Sequence, residues 1–157
     1  MFRECIICDA DFRTSGQVRA DVMKLSRTVS YAVQAALQLA KNGSGSPVPC
    51  SQLAMEGHMP ERFLLQILRN LVNHGILRST RGVDGGYALT RPPEQVSLLD
   101  LIEAIEGPLD GNPAPMDGMP ADSQTRLRDA LGQVTSSSRR QLESIKLSEL
   151  LEPPKAS

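Results

Sequence analysis

Between Pro60 and Thr90 the apolar pattern changes period, and that change constrains the fold more than any other feature of the chain. Leu64, Ile67, Leu68 and Leu71 recur at the three- and four-residue spacing of one helical face, with Pro60 suited to the first helical position and His74 and Gly75 suited to stop the helix. Directly afterwards Ile76 to Thr80 and Tyr87 to Thr90 read as two short strands around RGVDGG, Arg81 to Gly86, in which Asp84 and Gly85 tolerate positive φ. The segment is therefore a helix followed at once by a β-hairpin, or wing.

Two further helical patterns precede it. From Ser26 the apolar positions Val29, Val33, Ala36, Leu37 and Ala40 predict a helix with one buried stripe, ending at Asn42 and Gly43. A Gly/Ser/Pro connection from Gly43 to Pro49 leads to Ser51, the expected N-cap of a short helix through Gln52, Leu53, Ala54, Met55 and Glu56, and Gly57 with His58 makes the turn. Helix, helix, turn, helix, wing is the order that places a recognition helix in a major groove and a hairpin beside it. The expected fold class is mainly α with a small β-hairpin, a winged helix-turn-helix with a long C-terminal dimerisation helix.

After the wing, Pro92 and Pro93 break the chain, and Ser97 with Asp100 forms an expected capping box for a helix burying Leu98, Leu101, Ile102 and Ile105. Residues 107–121 hold four Pro and three Gly without a period and are expected to form a flexible loop. Beyond them Leu127, Leu131, Val134, Leu142 and Ile145 mark a long helix with a soft centre at Thr135 to Ser138. Its narrow stripe has little chain left to cover it, so a helix from a second copy is the economical partner and these five residues are its expected dimer contacts. The resulting division is 1–22, a tail or a mis-called upstream start, with Met23 a second candidate start; 23–106, the DNA-binding domain; 107–121, the loop; and 122–152, the dimerisation helix with a short closing helix.

The net charge of −1 hides a segmental asymmetry. Residues 23–92 carry eight Lys and Arg against three Asp and Glu, a balance of +5, whereas residues 93–157 carry six against eleven, a balance of −5. A basic block joined to an acidic block suits a head that binds a polyanion. Aromatic residues make up only 3% of the chain, so the core must be aliphatic. No run approaches the roughly 18 apolar residues of a membrane span, and three cysteines without a secretory signal fit a reducing cytoplasm better than a disulfide framework. Cys5 and Cys8 have a spacing that can share a zinc ion or form a redox disulfide, but a second ligand pair is missing, and Cys50 is expected near a helix start as a small apolar residue. No metal site is assigned.

On the helix after Pro60, Arg62, Gln66, Arg69 and Asn73 lie opposite the buried stripe, and none of the four is acidic. Arg and Gln can make paired hydrogen bonds to guanine or adenine edges. Arg78 and Arg81 lie on the wing, Arg81 directly before a glycine-rich tip that lets a backbone approach a phosphate or a narrow groove.

The stretches MKLSRTVSYAV, MPERFLLQILRNLVNHGIL and STRGVDGGYALTRPPEQVSLLDLIEAIEG, with SIKLSELL near the end, resemble the Rrf-type bacterial regulators. The resemblance implies a winged helix-turn-helix dimer with crossed C-terminal helices on palindromic promoter DNA. By position it places Lys24, Ser26, Arg27 and Tyr31 near the DNA backbone, Arg62, Leu65 and Gln66 in the major groove, and Arg81, between Arg78 and the Gly82 and Gly85 tip, in the minor groove. Cluster-binding relatives often have an acid where this chain has Leu65, and carry three cysteines in the loop where residues 107–121 have none. No iron-sulfur cluster or other cofactor is therefore expected.

The resulting expectation is a cytoplasmic, homodimeric transcriptional regulator of double-stranded promoter DNA, more a repressor than an activator. A protein that answers to a metabolic enzyme or sensor partner, a small-molecule effector, or a redox or metal sensor using Cys5 and Cys8 are the alternatives. No helix presents a nucleophile, base and orienting group together, so an enzyme is not expected.

Overall fold

The structure, a computed structural model, describes residues 25–43, 45–111 and 117–151. Lys24, Cys5, Cys8 and Met23 lie outside the described residues. The described elements are α1 (Arg27–Lys41), α2 (Cys50–Gly57), α3 (Glu61–Asn73), β1 (Leu77–Thr80), β2 (Gly86–Leu89), a 3-10 turn (Pro93–Gln95), α4 (Leu98–Glu106), α5 (Ala121–Ser144) and α6 (Leu147–Leu151). The expected mainly α fold with a small β-hairpin and a long C-terminal helix is the one observed.

Ser26 caps α1, its hydroxyl accepting the Val29 N–H at 3.2 Å. The helix buries Val29, Ala32, Ala35, Ala36 and Leu39, a stripe rotated from the expected one, with Val33, Leu37 and Ala40 only partly buried at its margin. An alanine-rich helix lets neighbours approach on a broad face, so the larger residues do not mark its centre. The α2 helix starts at Cys50, with Pro49 rather than Ser51 at the N-cap and no side-chain cap. It ends on His58, in the left-handed region at φ 51. The turn is fixed from α1: Gln34 Nε2 donates to the Gly57 carbonyl at 2.9 Å, and a Cβ on Gly57 would meet the Met59 side chain at 2.5 Å.

The two strands pair antiparallel with Leu77 opposite Leu89 and Thr80 opposite Gly86. Val48, from the connection before α2, exchanges both backbone hydrogen bonds with Tyr87 at 2.9 Å, so the base of the wing is stitched to the helix-turn-helix.

Leu53, Leu64, Ile67, Leu68, Leu71, Ile76, Leu101 and Leu147 form one aliphatic core. Fully burying one such side chain contributes about 1.5–3 kcal/mol. Ser97, itself buried, makes the expected capping box with Asp100. The α4 helix buries Leu99, Leu101, Ile102 and Ala104, so Leu99 replaces Leu98 and Ile105 is only partly buried.

The end of the chain packs back on the elements before it. The helix α5 is continuous through Thr135 to Ser138, with Ser136 Oγ bonding back to the Gly132 carbonyl at 2.8 Å, so the helix turns there without a break. Leu142 is 7% exposed and packs with Val29, Leu99 and Ile102 of its own chain. Ile145 lies beyond the last turn, half-buried, and its carbonyl accepts the Leu98 N–H at 2.9 Å. The Leu147 N–H donates to the Val96 carbonyl at 2.9 Å, and Leu147 is in the main core. The last turns of α5 and the start of α6 thus return to the helices that precede them, where Leu142 and Leu147 are buried.

Candidate nucleic-acid interface

The amphipathic pattern of α3 sets the site. Burying Leu64, Ile67, Leu68 and Leu71 turns Arg62, Gln66, Arg69 and Asn73 to solvent, and all four are exposed. The side chains of Arg62, Gln66 and Arg69 make no hydrogen bond or ion pair with another described residue. Leu65, expected on this face, is half-buried on its flank, one turn before Arg69. Glu61 is exposed at the helix start, where its charge suits the macrodipole, and its carbonyl accepts from Cys50 Sγ at 3.9 Å.

Arg27 and Arg62 stand in the first turns of α1 and α3. The partial positive charge of a helix N-terminus makes a cation there unfavourable by about 0.3–1 kcal/mol. Helix N-terminus and guanidinium together present positive charge that an anion would relieve. Tyr31 lies one turn after Arg27, half-buried, and its ring meets that of Phe63 edge-on at a centroid distance of 5.9 Å.

The wing residues divide. Arg81 is exposed at the start of the tip and unpartnered among the described residues. Arg78 Nη2 instead donates to the Gly45 carbonyl at 3.1 Å, which fastens β1 to the connection before α2. The hydroxyl of Ser26 is likewise engaged in its cap. Gly82 and Gly85 have structural reasons of their own: Gly82 has φ 117, and a Cβ on Gly85 would lie 2.5 Å from the Thr80 carbonyl oxygen. Between the wing and the C-terminal half of α3 lies a cleft of about 480 Å³ lined by Arg69, Asn73, Thr80, Arg81 and Tyr87. The sequence reading passed over Phe63. It is 41% exposed beside Arg62 and three residues before Gln66, a position that helical spacing alone puts at the edge of the polar face.

Helix, turn and helix carrying an unpartnered basic face, with a hairpin wing at its side, define a winged helix-turn-helix transcriptional regulator. The chain belongs to the Rrf2 family, described as Iron-dependent Transcriptional regulator, whose model matches residues 25–153. CymR of Bacillus subtilis is 32% identical over 117 residues, 73% of this chain and 85% of CymR. The structure of that protein, called the global cysteine regulator of B. subtilis, superposes with a TM-score of 0.64 at 27% identity, covering 82% of this chain and 96% of CymR. IscR of T. potens superposes with a TM-score of 0.64 at 26% identity, over 86% of this chain and 93% of IscR. Helix-turn-helix-type relatives from Mycobacterium tuberculosis are 42% identical over 87 residues, and the chain spans about half their length, 54%. These relatives and fold neighbours are transcriptional regulators, not enzymes.

An iron-sulfur cluster is held by cysteine thiolates. Residues 107–121 contain none, and Cys50 is the one cysteine among the described residues. Burial, and secondarily the Glu61 charge, push its thiol pKa up, away from the thiolate a metal requires. Among the described residues no three His, Cys, Asp or Glu side chains gather where a metal could be held. The described residues do not fit a cluster. No described helix is long and apolar enough to cross a membrane.

Proposed function

We propose that the protein is a homodimeric regulator that binds double-stranded promoter DNA and represses by occupying it, without an iron-sulfur cluster. The observation that carries the reading is the solvent face of α3, where Arg62, Gln66 and Arg69 stand unpartnered. A protein gains nothing in stability from holding such groups free, whereas bidentate contacts to base edges need them free. Ser26, Arg27 and Tyr31 then face the backbone, and Arg81 enters the minor groove beside the Gly82 to Gly85 tip. The second copy is supported by α5, where Leu131 and Val134 are 37% and 64% exposed in the single chain and Leu127 is half-buried. The proposed contact centres on these three residues, since Leu142 already packs on its own chain and Ile145 lies beyond the end of α5. A cytoplasmic setting follows from binding promoter DNA.

The test is binding of the full chain to promoter fragments by fluorescence anisotropy across a salt series. Affinity falls steeply with salt, and Arg81→Ala weakens binding and flattens the salt slope by about one ion. Unchanged affinity at low salt in Arg81→Ala rejects the wing assignment. Light scattering that gives a monomer at micromolar concentration rejects the dimer.

A further inference from the structure

The chain has few aromatic residues, and its core is built from aliphatic ones. Phe63 is the one phenylalanine among the described residues, and the fold leaves it 41% exposed. Its contact with Tyr31 accounts for one side of the ring and leaves the exposed remainder without a packing partner among the described residues. A phenylalanine is among the side chains that gain most from burial, and here a large part of that gain is left unused.

The placement is specific. Phe63 belongs to the first turn of α3, its N–H donating to the Pro60 carbonyl at 3.1 Å. Helical geometry puts it 100° from Arg62 and on the same edge as Gln66, the flank away from Glu61 and Cys50. Tyr31 on α1 meets the ring at an interplanar angle of 76°, which holds the ring against α1 along one side and leaves the rest open. Tyr31 shares a face of α1 with Arg27, one turn away. The result is a ring of fixed orientation, flanked by hydrogen-bonding side chains and set in the turn of the helix that leads into a groove.

The floor of a major groove carries one apolar group, the C5-methyl of thymine, while guanine, adenine and cytosine present donors and acceptors at their groove edges. We infer that Phe63 reads the methyl group of one thymine in each half-site, beside the base contacted by Gln66. The inference rests on the DNA-binding reading above and adds to it a selected base. A methyl withdrawn from water in this way is worth about a fourfold change in affinity.

The test starts from a duplex enriched by the full-length protein from a random pool, and each thymine in turn is replaced by deoxyuridine, which deletes only the methyl group. One position per half-site is expected to lose about fourfold in affinity, and that loss is expected to vanish in Phe63→Ala and in Phe63→Gln, the second variant guarding against a folding defect in the first. In Leu65→Ala the loss is expected to persist, since Leu65 is the other apolar group near the face. A wild-type scan in which no thymine is sensitive overturns the inference while binding itself stands. So does a loss that survives in the Phe63 variants, and one that disappears in Leu65→Ala assigns the methyl to Leu65. Failure to enrich any duplex overturns the DNA-binding reading itself, and this inference with it.

Discussion

Arg139 on α5 donates from Nη1 to the Glu103 carboxylate on α4, and the same nitrogen reaches the Leu109 carbonyl at 3.0 Å. The Leu109 N–H in turn donates to Glu103 Oε1 at 2.9 Å. One carboxylate therefore joins two helices and the start of the segment between them. Close by, a Cβ on Gly111 would lie 3.0 Å from the backbone of Gly132, so the segment is seated directly on α5. The side chains are 40% and 26% exposed, which screens the pair and discounts its worth. Glu103→Gln is expected to cost about 0.5–1.5 kcal/mol in urea unfolding, and the exchange Glu103→Arg with Arg139→Glu to restore part of it. Additive losses in the exchanged protein would show that the two residues do not act as a pair.

His58 is the one non-glycine residue among those described with positive φ, at 51°, and it is exposed with no packing that requires an imidazole. The left-handed conformation costs a side chain about 1–2 kcal/mol, and glycine escapes that cost at the price of a more flexible unfolded chain. His58→Gly is therefore expected to stabilise the fold by up to about 1 kcal/mol, seen as a rise of a few degrees in Tm. A fall in Tm would mean that the imidazole makes a contact worth more than the strain.

Gly86 behaves in the opposite way. A Cβ there would stand 2.4 Å from the carbonyl carbon and oxygen of Val48, backbone atoms fixed by the paired hydrogen bonds with Tyr87. The obstacle is main chain and cannot rotate aside. Gly86→Ala is expected to cost about 1–3 kcal/mol and to loosen the wing, with faster amide exchange at Tyr87 than in the parent protein. Unaltered exchange would show that the bridge shifts without loss.

These residues also show what the sequence makes legible. The change of period after Asn73 announces helix and hairpin correctly, because a helical stripe and an alternating strand bury different positions. Ser97 and Asp100 announce their capping box, because it depends only on two residues three positions apart in the chain. The Val48 to Tyr87 bridge is not legible, since it joins residues far apart in the chain through backbone atoms that any residue carries. Leu142 and Leu147 follow the same logic: their apolar spacing is visible, but whether own chain or second copy covers them depends on where α5 ends in space. On α3 the exposure of Arg62, Gln66 and Arg69 follows from the stripe opposite them. Arg78 does not announce its bond to Gly45, because that contact depends on how the connection before α2 passes the wing.

Cys50 supplies a prediction in pH. It stands half-buried at the start of α2, and its thiol is pushed up first by desolvation and then by the Glu61 charge. Both act against the thiolate, the form that attacks an alkylating reagent. At pH 8 the Cys50 peptide is expected to take up iodoacetamide more slowly in the folded protein than in the urea-unfolded chain, as followed by mass spectrometry. The linkage runs in the same direction. A thiol pKa raised in the folded state contributes stability that is complete below the unfolded pKa and is lost as pH rises through the folded one. Cys50→Ser removes that contribution, so the stability of the parent should fall faster than that of the variant across the alkaline side of the thiol range. Faster alkylation in the folded state would mean that the uncapped N-terminus of α2 stabilises the thiolate by more than burial and Glu61 oppose it, and would reopen this cysteine as a reactive group.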